Sequence, residues 1–257
     1  MHRAPYLLTR RILKAPSDRY RTHRVYAGAC QVACVSQAVA NSLRRYDAAL
    51  RPSVVHDGLV GFPSDEIRAS ALRRQYPGRV IIAQVGRLVE EKNIRLSLGV
   101  ARLAAERSVP LHFWILGDGP LRDELIAIAS DLDNIEFLGH REDIGDYLAA
   151  ADVLLHPARS EAFGSVIAEA MQHGVAVVAS KVGGIPEVVE DGHSGLLIDG
   201  ADAALYFQAV ETLYRDPELR QRLAQAGRQS VARFSRSAMV ERYLQLYRRC
   251  LADACGE

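Results

Sequence analysis

In the run SEAFGSVIAEAM, residues 160–171, two glutamates, Glu161 and Glu169, flank a short glycine-containing turn that leads into a helical pattern. The pattern opens with Gly164 and Ser165, so the free backbone N–H groups of Gly164, Ser165 and Val166 point out of its first turn with the positive end of the helix dipole. That end is an anion site. Glu169 lies four residues past Ser165, on the same face and one turn deeper, where a carboxylate can accept two hydrogen bonds from neighbouring hydroxyls such as those of a ribose. Glu161 precedes the turn and can reach the opposite side of the same phosphate. The pair suits a ligand with a hydroxylated ring at each end and phosphate between. One glutamate capping the helix and one on its exposed face would explain the same spacing.

A second run, GRLVEEKN, carries Arg87 and Lys92, and both cations can swing toward a diphosphate. They would stabilise a leaving group that gains negative charge, and losing one such stabiliser commonly costs about 3–4 kcal/mol in the barrier. Surface charge at a helix start is the plainer alternative, although a helix N-terminus disfavours a cation such as Lys92. The GDGP turn, Gly117 to Pro120, either lets backbone approach a ligand or is a simple turn before a helix.

These loops need a scaffold, and the sequence from Arg79 onward supplies one. RVIIAQVG, LHFWILG, NIEFLG, DVLLHP, VAVVAS and GLLID read as strands, with helical segments at Ile94–Arg107 and Leu121–Leu132 and between most of the others. Strands that are apolar nearly throughout and joined by helices call for a doubly wound parallel sheet covered on both faces, an α/β fold. Ligands of such sheets bind outside the carboxyl ends of the strands, here Gly86 and Arg87, Gly117 to Gly119, Gly139 to Arg141, Pro157 to Glu161, and Lys181 to Pro186. Before Arg79 the reading gives a helix from about Asp18 to Ala29, the strand CQVACVS, a helix from Gln37 to about Tyr46, a short strand SVVHDG and a linker around Gly61 to Asp65. That opening piece has too few strands for a sheet with its own core. After Asp199 the chain is helical, with breaks at Asp216–Pro217 and around Phe234–Ser235.

Composition narrows the function classes. With 257 residues, 49% of them hydrophobic, the chain can bury a real core, and a net charge of +1 gives no global field to hold it on nucleic acid. A local basic stretch holds Arg10, Arg11, Lys14, Arg19, Arg21 and Arg24 against Asp18 alone. It reads as a solvated helix face or as a contact for anionic head groups at the inner face of a membrane. No secretory signal and no spanning apolar run is evident, so a cytoplasmic protein is expected. Cys30 with Cys34 and Cys250 with Cys255 are spaced poorly for zinc, and packed, reduced thiols are expected, with no metal site.

The segments VGRLVEEKN, ILGDGPLRDEL, NIEFLGHREDIGDYLAAADVLLHPARSEAFGSVIAEAM and VVASKVGGIPEVVEDGHSGLLI together resemble the nucleotide-sugar-binding domain of the retaining glycosyltransferases of the two-Rossmann-domain (GT-B) architecture, of the family 4 type. The resemblance covers nearly all of residues 79–199 with its parts in order. It implies that Glu161 and Glu169 are an E-x7-E signature, with Glu161 at the donor sugar and Glu169 at the ribose. It implies that Arg87 and Lys92 hold the diphosphate, that Phe163, Gly164 and Ser165 lie at the sugar and distal phosphate with Val166 beside them, and that Gly86, Gly117, His140 and Arg141 border the nucleotide. The last two would act mostly through backbone atoms.

CVSQAVANSL and VVHDGL are similar to the end of the family's acceptor domain, and FSRSAMVERYLQLYRRCL to its returning helix. The resemblance therefore implies a C-terminal remnant of an acceptor-binding domain at 1–61, a nucleotide-sugar-binding domain at 62–235 and a crossing helix at 236–257. It implies hexosyl transfer from an NDP-sugar, a UDP-sugar foremost, to a carbohydrate or lipid-linked acceptor with retention and no metal cofactor. Ala162 and Ala158 depart from the family's frequent glycine and serine, and the resemblance implies that most of an acceptor domain is absent on the N-terminal side. A non-catalytic donor-binding module, or one subunit of an enzyme whose second chain supplies that domain, is the alternative. A sugar-nucleotide epimerase would need an acid–base cluster that is not evident.

Overall fold

The computed structural model describes residues 4–16 and 20–255. Its contacts divide the chain into two compact units, Met1–Val60 with Glu161–Phe163 and Arg233–Glu257, and Gly61–Ser160 with Gly164–Ala232.

The first unit contains β1 (Leu7–Arg10), α1 (Tyr20–Ala27), β2 (Gln31–Cys34), α2 (Gln37–Tyr46), β3 (Ser53–Val54) and, from the end of the chain, α11 (Arg236–Cys255). The three strands form one parallel sheet in the order β1-β2-β3, with Leu7 opposite Gln31 and Ala33 opposite Ser53. The sequence reading missed β1, because LLTR is four residues long and ends in the basic stretch. With β1 present the opening piece does form a sheet, and Ala33, Val55 and Leu246 make a small core under it, with Leu7, Met239 and Tyr243 packed alongside. Ser36 starts α2 by accepting from the Val39 N–H (3.1 Å), and the helix then buries Val39, Ala40 and Leu43.

Two expectations fail in this unit. Cys30 and Cys250, 220 positions apart, are joined by a disulfide with Cα atoms 5.4 Å apart, so the thiols are not all reduced and the sequence-adjacent pairs are not the partners. Cys34 is the buried free cysteine among the described residues, and burial pushes its thiol up to about 11. Nor is the basic stretch one solvated helix face. Arg10 is a buried strand residue whose guanidinium donates to the Tyr26 hydroxyl (2.7 Å) and to the Lys14 carbonyl, and Arg11 pairs with Asp57. Asp18 and Arg19 lie outside the described residues.

The second unit runs α3 (Glu66–Arg74), β4 (Val80–Val85), α4 (Ile94–Glu106), β5 (Leu111–Leu116), α5 (Arg122–Ile128), β6 (Ile135–Gly139), α6 (Ile144–Ala150), β7 (Val153–His156), α7 (Ser165–Gln172), β8 (Ala176–Ser180), α8 (Ile185–Val188), β9 (Leu196–Ile198), α9 (Ala203–Arg215) and α10 (Pro217–Ser230). All six strands are parallel, in the order β6-β5-β4-β7-β8-β9. Every residue of β4, β5, β7 and β8 is buried, as continuous apolar runs in a two-sided sheet require. Val80, Ile82, Phe113, Val153, Leu155 and Val178 from the strands join Val100, Tyr206, Phe207, Val210 and Leu223 from the helices in one large cluster. The break between α9 and α10 is a capped start: the Asp216 carboxylate accepts from the Leu219 N–H (2.8 Å) and Pro217 takes the first helical position.

The linker into this unit is pinned. Buried Asp146 accepts from the Asp65 N–H and from Arg68 Nε, both at 2.6 Å, and a Cβ on Gly145 would lie 2.1 Å from the Pro63 carbonyl oxygen. Among the described residues no helix is long and apolar enough to cross a membrane.

Candidate functional site

The strand order reverses between β4 and β7, and in open α/β sheets ligands bind outside the carboxyl ends of the strands at such a switch point. The two loops are tied directly: the Arg159 N–H donates to the Glu91 carbonyl at 2.8 Å, and the Arg159 guanidinium lies 3.6 Å from Glu90. Arg87 and Lys92 belong to the first loop, and the second runs on toward α7.

The ends of β4, β5 and β6 are laced level. Gly86 N–H donates to the Leu116 carbonyl (2.9 Å) and Gly117 N–H to the Gly139 carbonyl (2.8 Å). A Cβ on Gly117 would fall 1.9 Å from the Gly86 oxygen, and Gly117 has φ +136°, so only glycine permits this approach. Gly119 is pressed in the same way against the Leu88 backbone. The GDGP turn thus makes room for the protein's own neighbouring loop. Beside it lies a cavity of about 290 Å³ bordered by Gly86, Arg87, Gly117, His140, Arg141 and Ile144.

Within that border Arg141 is already committed. Its Nε and Nη2 donate to both oxygens of Asp143 (2.8 and 2.7 Å), its guanidinium sits 5.1 Å from the centre of the Tyr147 ring, and the Asp143 hydrogen bond raises its pKa. The guanidinium is thus engaged within its own loop and helix. Arg87 is exposed at the rim, and among the described residues no carboxylate pairs with it. The Lys92 stem runs along Gly86, its Cγ, Cδ and Cε being 3.5–3.7 Å from where a Gly86 Cβ would stand. Lys92 ends the short 3-10 turn Glu90–Lys92, and Asn93, in the left-handed conformation (φ 52°), separates it from α4.

At α7, Gly164 has φ +98° and supplies no side-chain cap. Its carbonyl accepts from Ile167 and Ala168, which leaves the N–H groups of Gly164, Ser165 and Val166 without a backbone acceptor among the described residues. Glu169, one turn deeper, is half-buried, and burial pushes its carboxyl up to about 7. Gly86, Arg87, Lys92, Gly117, His140, Arg141, Gly164, Ser165, Val166 and Glu169 therefore all belong to the second unit.

Glu161 and Phe163 do not. They group with the first unit, where the Phe163 ring, 2% exposed, stacks on His56 (centroids 5.4 Å, 25°) and meets Phe234 edge-on (5.2 Å, 83°). Glu161 Oε1 accepts from the Ala162 N–H at 3.1 Å. Sequence reasoning passed over His56 and Phe234: one sits in an apparent strand end and the other in a helix break, and no spacing rule links either to Phe163.

The family model described as "Glycosyl transferases group 1" matches residues 66–230. The chain belongs to this family. It is 36% identical over 171 residues to the lipopolysaccharide core biosynthesis glycosyltransferase LpsE of Rhizobium meliloti, covering 65% of this chain and 49% of the relative. It is 32% identical over 245 residues to the alpha-maltose-1-phosphate synthase of Mycobacterium tuberculosis, covering 86% and 63%. The chain thus spans about half to under two thirds of the length of these curated relatives. Among solved structures, sucrose-phosphate synthase from Thermosynechococcus elongatus superposes with a TM-score of 0.81 at 26% identity, covering 96% of this chain and 68% of that one. Anabaena HepE in complex with UDP-glucose superposes with a TM-score of 0.80 at 25% identity, covering 95% and 71%. The expected family and α/β class are therefore correct.

Proposed function

We propose that this group 1 glycosyltransferase chain binds a nucleoside-diphosphate sugar, a UDP-sugar foremost, and acts in transfer of the sugar with retention at the anomeric carbon. The observation that carries the reading is the switch point between β4 and β7, whose loops are tied by Arg159 to Glu91, with Arg87 and Lys92 on one loop and the uncapped α7 amides beyond the other. Cations and helix amides are what a diphosphate requires, and the cavity bordered by Gly86, Gly117, His140 and Arg141 is available for a planar base. The relative solved with UDP-glucose supports the choice of uridine.

In this reading Glu169 accepts from the ribose hydroxyls and Glu161 holds the sugar and favours positive charge at its ring. Arg87 and Lys92 stabilise the departing diphosphate, helped by the Gly164–Val166 amides. The leaving phosphate takes the acceptor proton, so the chain need supply neither a general base nor a metal. The acceptor is a carbohydrate or lipid-linked hydroxyl, and the reaction is placed in the cytoplasm.

The test is calorimetric titration with UDP, GDP and ADP, followed by donor turnover. UDP should bind, and Glu169→Ala should weaken it about ten- to hundredfold, the worth of hydrogen bonds to a charged group. Arg87→Ala should slow UDP-glucose hydrolysis about 10²- to 10³-fold. Preference for GDP or ADP would reassign the base, and undiminished hydrolysis in Arg87→Ala would sink the diphosphate role. UDP binding without turnover would instead favour a donor-binding module.

A further inference from the structure

The two signature carboxylates belong to different compact units: Glu169 to the sheet that carries the phosphate-binding loops, and Glu161, with Phe163, to the first unit. We infer that His56 and Phe234 are positioning residues for Glu161, which they hold through the Phe163 ring. The inference deepens the donor-binding reading above and rests on it.

Three rings form a closed cluster. Phe163 stacks on His56, meets Phe234 edge-on, and His56 and Phe234 touch each other at 5.3 Å and 79°. Offset and edge-to-face contacts of this kind are directional, so they fix where a ring sits as well as burying it. Both partners of Phe163 are themselves held. The residue before His56, Val55, is buried and donates to the Cys34 carbonyl at 2.8 Å, which ties His56 to the end of β2. Leu59 N–H donates to the Phe234 carbonyl at 2.8 Å, and Gly58 passes so close to α11 that a Cβ there would lie 2.8 Å from the Arg236 Cα. The Arg233 guanidinium covers Phe234 at 4.8 Å, and Arg242 Nη1 is 3.4 Å from His56 Nδ1.

Only Ala162 separates the anchored Phe163 from Glu161, and the Glu161 carboxylate folds back onto the Ala162 N–H. A shift of the ring therefore moves the carboxylate. Misplacing a reacting or orienting group by about 1 Å can cost on the order of 10²-fold. The three rings and Glu161 belong to the first unit and Arg87, Lys92 and Glu169 to the second, so comparing the bare nucleotide with the nucleotide sugar tests the inference.

The experiment compares affinity for UDP with affinity for UDP-glucose by calorimetry in the full chain, with the thermal midpoint as a folding control. Glu161→Gln should weaken UDP-glucose about tenfold and leave UDP unchanged, since one hydrogen bond to a charged group is lost. His56→Ala and Phe234→Leu should reproduce that selective loss. His56→Phe, which restores a ring for the stack, should return to within about threefold of the parent. In the His56→Ala, Glu161→Gln double variant the two losses should not add, because both act through one carboxylate. Losses that add, or equal losses for UDP and UDP-glucose in His56→Ala, would overturn the positioning role and leave the ring cluster a packing feature. A parent chain that binds no UDP would instead overturn the donor-site reading on which the inference stands.

Discussion

The two units of this chain hold themselves together by different means. The second has a six-stranded parallel sheet whose four central strands are buried at every residue, and one continuous cluster that reaches from Val80 to Leu223. The first has three strands of at most four residues and a small core around Ala33, Val55 and Leu246. It also leaves Ile12, Val240, Leu244, Tyr247 and Leu251 each about half exposed or more. A small unit that buries little apolar surface needs another source of stability, and here the Cys30–Cys250 disulfide joins the α1–β2 connection to α11. The candidate residues follow the same division: Arg87, Lys92 and Glu169 belong to the well-cored unit and Glu161 to the stapled one.

If that division is right, cutting the staple should have the largest effect of the tests that follow. Cys250→Ala, or reduction by a dithiol, should lower the stability of the first unit by about 2–5 kcal/mol, the usual cost of removing a native disulfide. Hydrogen exchange would show the loss in β1, β2, β3 and α11, with the amides of β4 through β8 as protected as before. Equal loosening of both sheets would mean that the chain is one cooperative structure and that the comparison is mistaken.

The contrast also explains what could be read in advance. The strands of the second unit were legible because a sheet covered on both faces needs unbroken apolar runs, and RVIIAQVG or VAVVAS has no other use. The loops that leave them were legible for the complementary reason, since glycines and cations at strand ends are costly unless a ligand or a close approach requires them. Arg87 and Lys92 were proposed as ligand groups that way, and Glu169 from its place one turn inside the helix that follows Gly164. In the first unit local pattern carries less. LLTR is too short to announce a strand, and Cys30 finds its partner 220 positions away, where spacing gives no guidance. The grouping of Glu161 with His56 and Phe234 is likewise a fact of packing between segments remote in sequence.

A smaller effect should come from Glu169. Burial raises its carboxyl from the ordinary 4.5 to about 7 in the folded chain, so between these values the folded state keeps a proton that the unfolded state has released. The stabilisation is complete below pH 4.5 and is lost as pH rises through about 7. After a discount for partial solvent screening this amounts to about 1–2 kcal/mol. Glu169→Gln should therefore match the parent near pH 4.5, exceed it by that amount above pH 7, and flatten the pH profile of the second unit alone. Bound ribose hydroxyls favour the ionised form, so UDP binding at pH 6 should release close to one proton, visible as a binding heat that varies with the buffer. A buffer-independent heat would count against Glu169 as the ribose ligand.

The smallest effect tests the exposed side of the comparison. On α11, Val240, Leu244, Tyr247 and Leu251 fall at spacings of four, three and four, a single stripe, while Met239, Tyr243, Leu246 and Cys250 turn toward the first unit's sheet and disulfide. A leucine already about half in water loses little when made polar, so Leu244→Gln should change stability by less than about 0.5 kcal/mol. Leu246→Ala, two residues on and 4% exposed, should cost about 2–4 kcal/mol, because it removes one of the few large side chains in that core. A contrast of that size along one helix would establish that the first unit truly ends in an open apolar face. A cost above 1 kcal/mol for Leu244→Gln would mean the stripe is covered in solution, and that burial in the first unit has been undercounted relative to the second.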